Sequence, residues 1–444
     1  MKRRASTKII GGVAIAAFGA SLLTACSPGG EALPDVDEIS GDFDWKRFDG
    51  ETIRFVAGLQ PWQEQIEPLI PEFEELTGID VEMEALPEDQ FRQRLQVELT
   101  AGSSDIDVFM TSVQQDGARF ANSGWYEELV PYIENESLTS PDYDFSDFSE
   151  SVLEGHTFDG TLSALPIQLE VQMLFYRKDL IEAAGYDAPP ATLDELDEMA
   201  AATTDPGNGV FGWAVRGKRA AAVTQLTSFL ANHGATYMDD EGKAAFDSPE
   251  GIEAIDEYGR LLREYGPSGS VNNGWEELLA MFQAGNIALW ADNSGQAAAI
   301  RDPEQTEITD EVGYAPMPQN GDDSAQTFFG WGAAISSASE KKPAAWLFLQ
   351  WLTSAEVVAE LQEAGIPGGR QSIEFGDDVP HDFVDAFQTS LATAQPQLPQ
   401  VQSVPEVRDA IGDVLVASIQ GGDVEAAATS AADEFDRIVE METR

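Results

Sequence analysis

The side chains best suited to chemistry in this chain are a few aromatic and cationic residues near predicted strand ends. Trp62 follows the first predicted strand, Arg216 follows a later one, and Trp331 stands between two glycines after an apolar run. Aromatic faces stack on the apolar side of a sugar ring, and a guanidinium donates paired hydrogen bonds to adjacent hydroxyls. Because α/β proteins bind ligands at the carboxyl ends of strands, these residues are candidates for a binding site.

Each of these residues also has a purely structural interpretation. Trp62 fits a core or surface position equally well, and Arg216, which is close to Lys218 and Arg219, is also suited to pairing with the surrounding carboxylates. Any single Asp or Glu among 79 is expected to be solvated. The tryptophans that fit apolar helix or strand faces are assigned to the core: Trp213, Trp275, Trp290, Trp346 and Trp351.

Motifs for nucleotide, metal and covalent chemistry are missing or stand in the wrong context. GNGVFG at 207–212 matches GxGxxG, but it follows a predicted helix and precedes a strand, so it is interpreted as a turn. SEKK at 339–342 matches SxxK without the companion motifs of that site. The three histidines fit no zinc spacing, and a single cysteine excludes an internal disulfide. We therefore predict no catalytic residue, no metal and no cofactor.

The N-terminus has the pattern of an export signal. Residues 1–25 combine a basic start with an apolar run that is shorter than the roughly 20 residues needed to span a bilayer. They end in Leu-Thr-Ala before Cys26, which resembles the lipobox of bacterial lipoproteins. We predict a lipoprotein signal peptide at 1–25, lipidation of Cys26 and a flexible tether at 26–48. An ordinary signal peptide with an incidental cysteine is the alternative.

The charge balance excludes two classes of partner. The chain has 79 acidic and 25 basic residues, and its net charge of −54 repels nucleic acid and anionic lipid. Since 43% of the residues are hydrophobic and 9% aromatic, the acidity does not indicate disorder. Such a surface suits high external salt, which screens the self-repulsion. We expect a melting temperature that rises steeply between low and molar salt.

Strand and helix patterns alternate along the first part of the chain. They predict strands at 50–57, 81–85 and 106–110, with helices at 66–76 and 91–99 between them. This order is typical of a parallel sheet covered by helices. The pattern restarts after Pro166, and helical patterns dominate from 340 onwards. With 444 residues, the chain is expected to form two α/β lobes.

A series of short motifs in a fixed order resembles family 1 of the extracellular solute-binding proteins, the maltose-binding-protein-like receptors of ABC importers. The motifs are spread over most of the chain, and RGK at 216–218 with FFGWG at 328–332 is most similar to sugar-alcohol receptors of that family. The others are FEELTGI at 73–79, DIDV at 105–108, GWYEEL at 124–129, LFYRKDL at 174–180, FQAGNIA at 282–288, GYAPMP at 313–318 and AAWLFLQWLTS at 344–354.

The resemblance implies a two-lobed α/β fold of the type II periplasmic-binding-protein class, with the ligand cleft between the lobes. Ligand favours closure because it contacts both lobes only in the closed state. The chain is expected to cross between lobes three times, near Pro166, Gly313 and Ser337. The expected lobes are 49–165 with 313–337, and 166–312 with 338–444.

The resemblance also supplies three site candidates. Glu170 matches a position where maltose-type receptors place a sugar-binding carboxylate, although a hinge carboxylate without a ligand role is the alternative. Asp292 stands where the family has a cleft loop, and Arg370 stands on a Gly/Pro loop that borders the pocket in relatives. The predicted ligand-binding set is Trp62, Glu170, Arg216, Asp292, Trp331 and Arg370.

Together these features predict a monomeric, lipid-anchored receptor on the outer face of the cell membrane. It would capture a neutral sugar or sugar alcohol and deliver it to the permease subunits of an ABC transporter, touching the membrane only through its anchor. A receptor for a glycerophosphodiester or an oligopeptide is one alternative. The others are a secreted carbohydrate-active hydrolase and a structural or sensory lipoprotein that binds nothing small.

Overall fold

The computed structural model of the protein describes residues 33–306, 308–321, 326–396 and 401–442. The predicted signal peptide, Cys26 and the first part of the predicted tether lie outside the described residues. Within the described ranges, no helix has the length and apolar character needed to cross a membrane.

The predicted alternation of strands and helices is confirmed. In the described residues the strands are β1 Thr52–Gly58, β2 Asp80–Leu86, β3 Val108–Ser112, β4 Thr157–Phe158, β5 Thr161–Leu162, β6 Leu165–Arg177, β7 Phe211–Ala214, β8 Ile287–Asn293, β9 Val312–Pro316, β10 Gln326–Ile335 and β11 Ala394–Pro396.

The helices surround these strands on both sides. They are α1 Pro61–Ile66, α2 Ile70–Thr77, α3 Glu88–Ala101, α4 Ala118–Asn122, α5 Val130–Ile133, α6 Glu150–Glu154, α7 Lys178–Ala183, α8 Leu193–Thr203, α9 Arg219–Val223, α10 Leu226–Asn232, α11 Pro249–Tyr265, α12 Trp275–Gln283, α13 Gln296–Arg301, α14 Lys342–Leu352, α15 Ala355–Glu363, α16 His381–Ala392, α17 Val404–Ile419 and α18 Val424–Glu442.

Nine of these strands form one sheet, in the order β2-β1-β3-β10-β6-β8-β7, with β11 beside β10 and β9 beside β6. β1 pairs with β2 and β3 in parallel, and β7 pairs with β8 in parallel. The parallel strands are connected through helices, as expected for α/β crossovers. Their carboxyl ends face the middle of the molecule, where the sheet changes from one group of strands to the other.

β6 is the strand that joins the two groups. Its first half pairs with β10, which itself pairs with β3, and its second half pairs with β8 and β9. Every residue of β6 from Leu165 to Tyr176 is buried, so this strand lacks the polar–apolar alternation that would mark its length in the sequence.

Two hydrophobic cores flank the middle of the sheet. The first core contains residues from β1, β3 and α14, such as Phe55, Phe109 and Phe348. The second consists of two clusters on opposite faces of the sheet around β6, β7 and β8, and Trp213 and Trp290 lie one in each. This is the two-lobed α/β arrangement that the sequence predicts.

The cores differ from the expected lobe boundaries in two places. The chain passes between cores at 167–169 and 317–333, and again at 366–379 rather than near Ser337. α14 and α15 therefore pack in the first core, whereas the expected division assigned everything after 338 to the second lobe. The reason is that α14 is apolar on all sides and fills the space beside Phe55 and Phe73.

Part of the expected flexible tether is also folded. Ile39 and Phe48 are buried in the first core. The side-chain amide of Asn135 donates to the carbonyl oxygens of Val36 and Ile39, at 2.9 and 3.2 Å. The folded body therefore begins well before residue 49, and only residues 26–32 of the predicted tether remain outside the described chain.

Candidate functional site

A cleft lies where elements of the first core face elements of the second. It has an inner compartment beside β6 and β10 and an outer compartment between α3 and α17, with cavity volumes of about 30 and 430 Å³. Four residues line both compartments: Glu88, Gln115, Arg216 and Trp275. The inner compartment is also lined by Gln60, Pro61, Ser112, Glu170, Thr224, Asn293, Gln296, Phe329, Gly330 and Trp331.

A chain of hydrogen bonds starts at the parallel ends of β7 and β8. Arg216 follows β7, and its Nε and Nη2 donate to the carboxylate of Asp292 near the end of β8, with Nε at 3.0 Å from Oδ2. Nη2 of Arg216 also donates to Oδ1 of Asn293 at 2.7 Å. The amide of Asn293 in turn donates to Oε2 of Glu170 on β6 at 3.1 Å. These four side chains therefore hold one another in fixed orientations.

Burial and neighbouring charges determine the ionisation of the side chains in this hydrogen-bonded series. Burial disfavours the charged guanidinium of Arg216, but the adjacent Asp292 carboxylate outweighs it and raises the pKa of Arg216. Burial also raises the pKa of Glu170 to about 7, although its hydrogen bond from Asn293 opposes the shift. Arg216 is thus a fixed cation, whereas Glu170 exchanges a proton near neutral pH. Glu170 offers acceptors when ionised and one O–H donor when protonated.

The approach of Glu170 to the cleft depends on one glycine. A Cβ atom at Gly295 would lie 2.1 Å from Oε1 of Glu170 and 2.5 Å from Nε2 of Gln168. Any side chain at position 295 would therefore displace the Glu170 carboxylate. Nε2 of Gln168 donates to the same carboxylate at 3.3 Å, so Glu170 is held from two sides.

Two half-buried tryptophans supply flat surfaces in the inner compartment. Trp331 lies on β10, and the guanidinium of Arg92 stands over its ring at 5.5 Å from the centroid. Trp275 opens α12, and its indole Nε1 donates to Oε2 of Glu88 at 3.3 Å. One indole thus comes from the strand between the lobes and the other from the second core.

The first core provides the acidic wall of the cleft. Nε and Nη2 of Arg92 donate to Oε1 of Glu88 at 3.2 and 3.0 Å, and Nη1 of Arg92 pairs with Asp116 in the π-helical turn after β3. Burial alone would raise the pKa of Glu88, but the guanidinium groups of Arg92 and Arg216 lower it to about 2. Glu88 is therefore a permanent acceptor.

Contacts across the cleft join the two sides. Nζ of Lys218, just before α9, lies 3.2 Å from Oδ2 of Asp89 on α3. The Trp275–Glu88 hydrogen bond makes a second bridge between a second-core helix and a first-core helix. Both contacts connect the two sides of the cleft in this structure.

Three of the six predicted site residues line the inner compartment: Glu170, Arg216 and Trp331. Asp292 is fully buried and does not line the cleft, but it orients Arg216. Asp292 therefore affects a ligand in this cleft only indirectly, through Arg216.

Trp62 and Arg370 lie elsewhere. Trp62 is fully buried in the first core, with its ring 6.3 Å from that of Phe55 in an edge-to-face contact. The sequence suggested a loop, but Pro61 opens α1 and places Trp62 in its first turn. The buried Arg370 donates to the carbonyl oxygens of Thr353 and Asp144 at 2.7 and 2.9 Å. These bonds tie loops of the chain together, outside the cleft described above.

Sequence reasoning missed several lining residues, notably Glu88, Trp275 and Asn293. The assignment of Trp275 to the core is wrong, whereas the core assignments of Trp213, Trp290, Trp346 and Trp351 are confirmed. Asn293 directly follows Asp292 at a strand end, a signal that was available. In the described residues, no group of three or more His, Cys, Asp or Glu side chains is placed to hold a metal ion.

Comparison with known proteins agrees with this geometry. The family model for "bacterial extracellular solute-binding protein" matches residues 57–359. The erythritol/L-threitol-binding protein of Mycolicibacterium smegmatis is 27% identical over 95% of this chain and 93% of its own length. The mannitol-binding protein of Pseudomonas aeruginosa is 32% identical over 72% of this chain and 74% of its own length.

Solved structures share the fold. An ABC transporter solute-binding protein of Agrobacterium vitis with bound D-mannitol has a TM-score of 0.77 at 28% identity, covering 89% of this chain and 99% of that one. The maltose-bound MalE3 of T. maritima has a TM-score of 0.78 at 26% identity, covering 87% of this chain and 99% of its own.

Proposed function

The chain belongs to the bacterial extracellular solute-binding protein family, and from this premise we propose that it is the receptor of an ABC importer for a small polyol or sugar. The family and the two relatives are named as binding proteins, and the Agrobacterium vitis structure is named as an ABC transporter solute-binding protein. The proposed ligand class follows the relatives, whose names give erythritol, threitol and mannitol. The cleft chemistry supports the same class.

The observation that carries the proposal is the Asp292–Arg216–Asn293–Glu170 chain beside Trp331. Hydroxyl groups of a polyol both donate and accept hydrogen bonds, so they need fixed donors and acceptors side by side. Arg216 supplies the donors, and the Glu170 and Glu88 carboxylates supply acceptors within the same compartment. The indoles of Trp331 and Trp275 cover the C–H faces of the ligand. Because the polar groups already have their partners, they lose little freedom on binding.

The inner compartment suits a small ligand. Its own cavity is only about 30 Å³, and it adjoins the outer compartment of about 430 Å³. We propose that a linear polyol or a single sugar ring binds in it and in the adjoining part of the outer compartment, with Glu170, Arg216 and Trp331 in direct contact. Trp62 and Arg370 are left out of this proposed contact set, and Asp292 is a positioning residue.

We propose that closure of the cleft is how the transporter recognises that ligand is bound. We assign 39–167 with 333–366 to one lobe and 169–317 with 379–438 to the other, from the membership of the cores, with Ala298 of α13 also packed against the first core. Ligand in the inner compartment touches β6, β10 and both lobes, so it favours the closed state. The permease subunits would recognise that closed state.

We also propose that Cys26 carries a lipid that anchors the protein to the outer face of the cell membrane. The family is extracellular, and the lipobox-like sequence supports lipidation. Residues 26–32 span at most about 25 Å when extended, so the folded body would stay close to the membrane. Cys26→Ser should release the protein into the medium and abolish labelling by a radioactive fatty acid. Continued labelling of this variant would contradict the anchor.

The test of ligand class is a titration of the purified mature protein with erythritol, ribitol, D-mannitol, maltose, glycerophosphocholine and a short peptide. Ligand at about a thousand times its dissociation constant should stabilise the fold by roughly 4 kcal/mol, which a thermal melt detects. We expect a shift with one or more polyols and none with the peptide. A folded protein that responds to no polyol or sugar would contradict the proposal.

The Arg437→Gln variant is a suitable control for this titration. Arg437 is exposed on α18, where it pairs with Glu434 and donates to Sδ of Met441, both in the same helix. The Arg437→Gln variant should therefore bind every ligand as the native protein does.

A further inference from the structure

The outer compartment of the cleft is rich in positive charge although the protein is strongly acidic. Six of the 25 basic residues of the chain line it, together with five carboxylates, whereas the whole chain has 79 acidic residues. The six are Arg92, Arg119, Arg216, Lys218, Arg219 and Arg408.

Five of these cations are already neutralised. Each forms an ion pair with at least one carboxylate in the structure. Arg408 differs from them, because no carboxylate among the described residues pairs with it. It is also among the most buried of the six, with 8% of its surface exposed.

Neutral groups hold Arg408 in place. It lies in the second turn of α17, where its Nε donates to the carbonyl oxygen of Ala220 at 3.1 Å. Its Nη2 donates to the same oxygen at 2.6 Å and to the hydroxyl of Thr224 at 2.8 Å. Nη1 makes no hydrogen bond to any residue within the described ranges. The guanidinium is thus oriented by two acceptors while part of its donor capacity remains available.

A buried cation without a counter-ion is costly. Burial and the neighbouring guanidinium of Arg92 lower the pKa of Arg408 to about 10, so its charge is disfavoured where it stands but persists at neutral pH. An anion in the outer compartment would remove this penalty by forming a charge-assisted, two-point hydrogen bond.

We propose that the outer compartment is an anion subsite centred on Arg408, so that a polyol with a terminal carboxylate or phosphate binds more tightly than the neutral polyol. The inference rests on the proposed function and narrows its ligand. The hydroxylated part would occupy the inner compartment and the anionic end the outer one. Arg216 and Glu88 line both compartments, so the two compartments adjoin each other.

The test compares D-mannitol, D-mannonate, D-mannitol 1-phosphate and inorganic phosphate by calorimetric titration of the mature protein at one ionic strength. We expect at least one anionic polyol to bind about tenfold or more tightly than D-mannitol. Comparison of D-mannonate with D-mannitol 1-phosphate identifies whether a carboxylate or a phosphate fits the subsite. In Arg408→Gln the ratio of the affinity for the anionic polyol to the affinity for D-mannitol should fall to about one. The affinity for D-mannitol itself should change by less than about threefold.

Arg219→Gln is the matched control, because it removes a cation from the same wall that is already paired with Asp413. It should keep most of the preference, which separates a specific subsite from general electrostatics. If Arg408→Gln does not fold, Arg408→Lys keeps the charge without the two-point geometry and should lose part of the preference.

Equal or weaker binding of both anionic polyols by the native protein would overturn the subsite, and D-mannitol binding would then still support the proposed function. If no polyol and no sugar binds, the proposed function fails. The subsite is then tested with inorganic phosphate alone. The native protein must bind phosphate, and the Arg408→Gln variant must not.

Discussion

At the scale of single residues, Trp275 and Trp62 form a matched pair for experiment. Trp275 is half-buried and faces the cleft, so Trp275→Ala should weaken polyol binding by about tenfold or more through lost stacking, while the melting temperature stays nearly constant. Trp62 is enclosed in the first core, so Trp62→Ala should lower the free energy of unfolding by about 3–5 kcal/mol. Urea unfolding and ligand titration of both variants measure the two effects.

The opposite pattern would contradict the structure. If Trp62→Ala stayed stable and lost binding, Trp62 would belong to the site, as its position after β1 suggested. Trp331→Ala is expected to behave like Trp275→Ala, because its ring lines the same compartment.

The buried pair of Arg216 and Asp292 leads to a second prediction. Asp292→Asn removes the only carboxylate bonded to Arg216 among the described residues and leaves a buried cation uncompensated. We expect a loss of about 3–5 kcal/mol in the free energy of unfolding, together with weaker binding because Arg216 is no longer oriented.

The control for this prediction is Asp413→Asn. Asp413 pairs with Arg219, and both side chains are about half exposed. Exposed pairs contribute about 0–1 kcal/mol, so this variant should be nearly neutral. Equal stability of the two variants would show that the Arg216–Asp292 pair has no special role.

At the scale of elements, the sequence predicted correctly the features that depend on residues close together in the chain, such as helix caps and turns. The capping residue Thr192 accepts from the backbone N–H of Glu195 at 3.2 Å, and Ser248 accepts from that of Gly251 at 3.2 Å, as their spacing predicts. The turn predicted in the motif at 207–212 is found at 206–209, and the predicted strands at 50–57, 81–85 and 106–110 are found as β1, β2 and β3. Each of these depends on neighbours within a few residues.

The composition of the cleft could not be predicted in the same way. Trp275 shares the apolar face of α12 with Leu278 and Phe282, so the sequence pattern predicted a core position for it. Trp275 is the first residue of that helix and extends past the core to meet Glu88, which is 187 positions away in sequence. Such long-range partners depend on how whole elements meet, and no local pattern in one sequence reports that.

β6 carries a prediction about pH, because Glu170 lies where this strand passes between the lobes. Burial raises the pKa of Glu170 from its ordinary 4.5 to about 7. The folded state therefore holds a proton that the unfolded state releases between these pH values, so this group's contribution to stability falls as pH rises from about 4.5 to 7. The full effect is at most about 3 kcal/mol.

Glu170→Gln removes this contribution. Urea unfolding at pH 5 and pH 8 should show the native protein losing stability relative to Glu170→Gln as pH rises. The exposed Glu241→Gln is the control and should leave the pH profile unchanged. Parallel profiles for the native protein and Glu170→Gln would mean that Glu170 is ionised throughout the range.

At the scale of the whole molecule, the dominant property is the charge of −54. Carboxylates that surround a folded body repel one another, and this repulsion favours the unfolded chain, in which they are farther apart. Among the described residues, the ion pairs use most of the basic residues near the cleft and on α11 and α18, and most carboxylates have no cation partner. The stability of the protein should therefore depend on screening by salt.

We expect the melting temperature to rise steeply between 0.05 and 1 M KCl and to level off above it. The Debye length falls from about 10 Å at 0.1 M to about 3 Å at 1 M, so screening between neighbouring carboxylates is nearly complete by then. Sucrose stabilises proteins by exclusion from their surface and does not screen charge, so at equal osmolality it should give a smaller and steadier rise. A melting temperature that is flat in KCl, or that rises equally in KCl and sucrose, would show that self-repulsion does not limit stability. The binding titrations should accordingly be done above 1 M KCl, where the closed and open forms differ by ligand contacts rather than by repulsion between lobes.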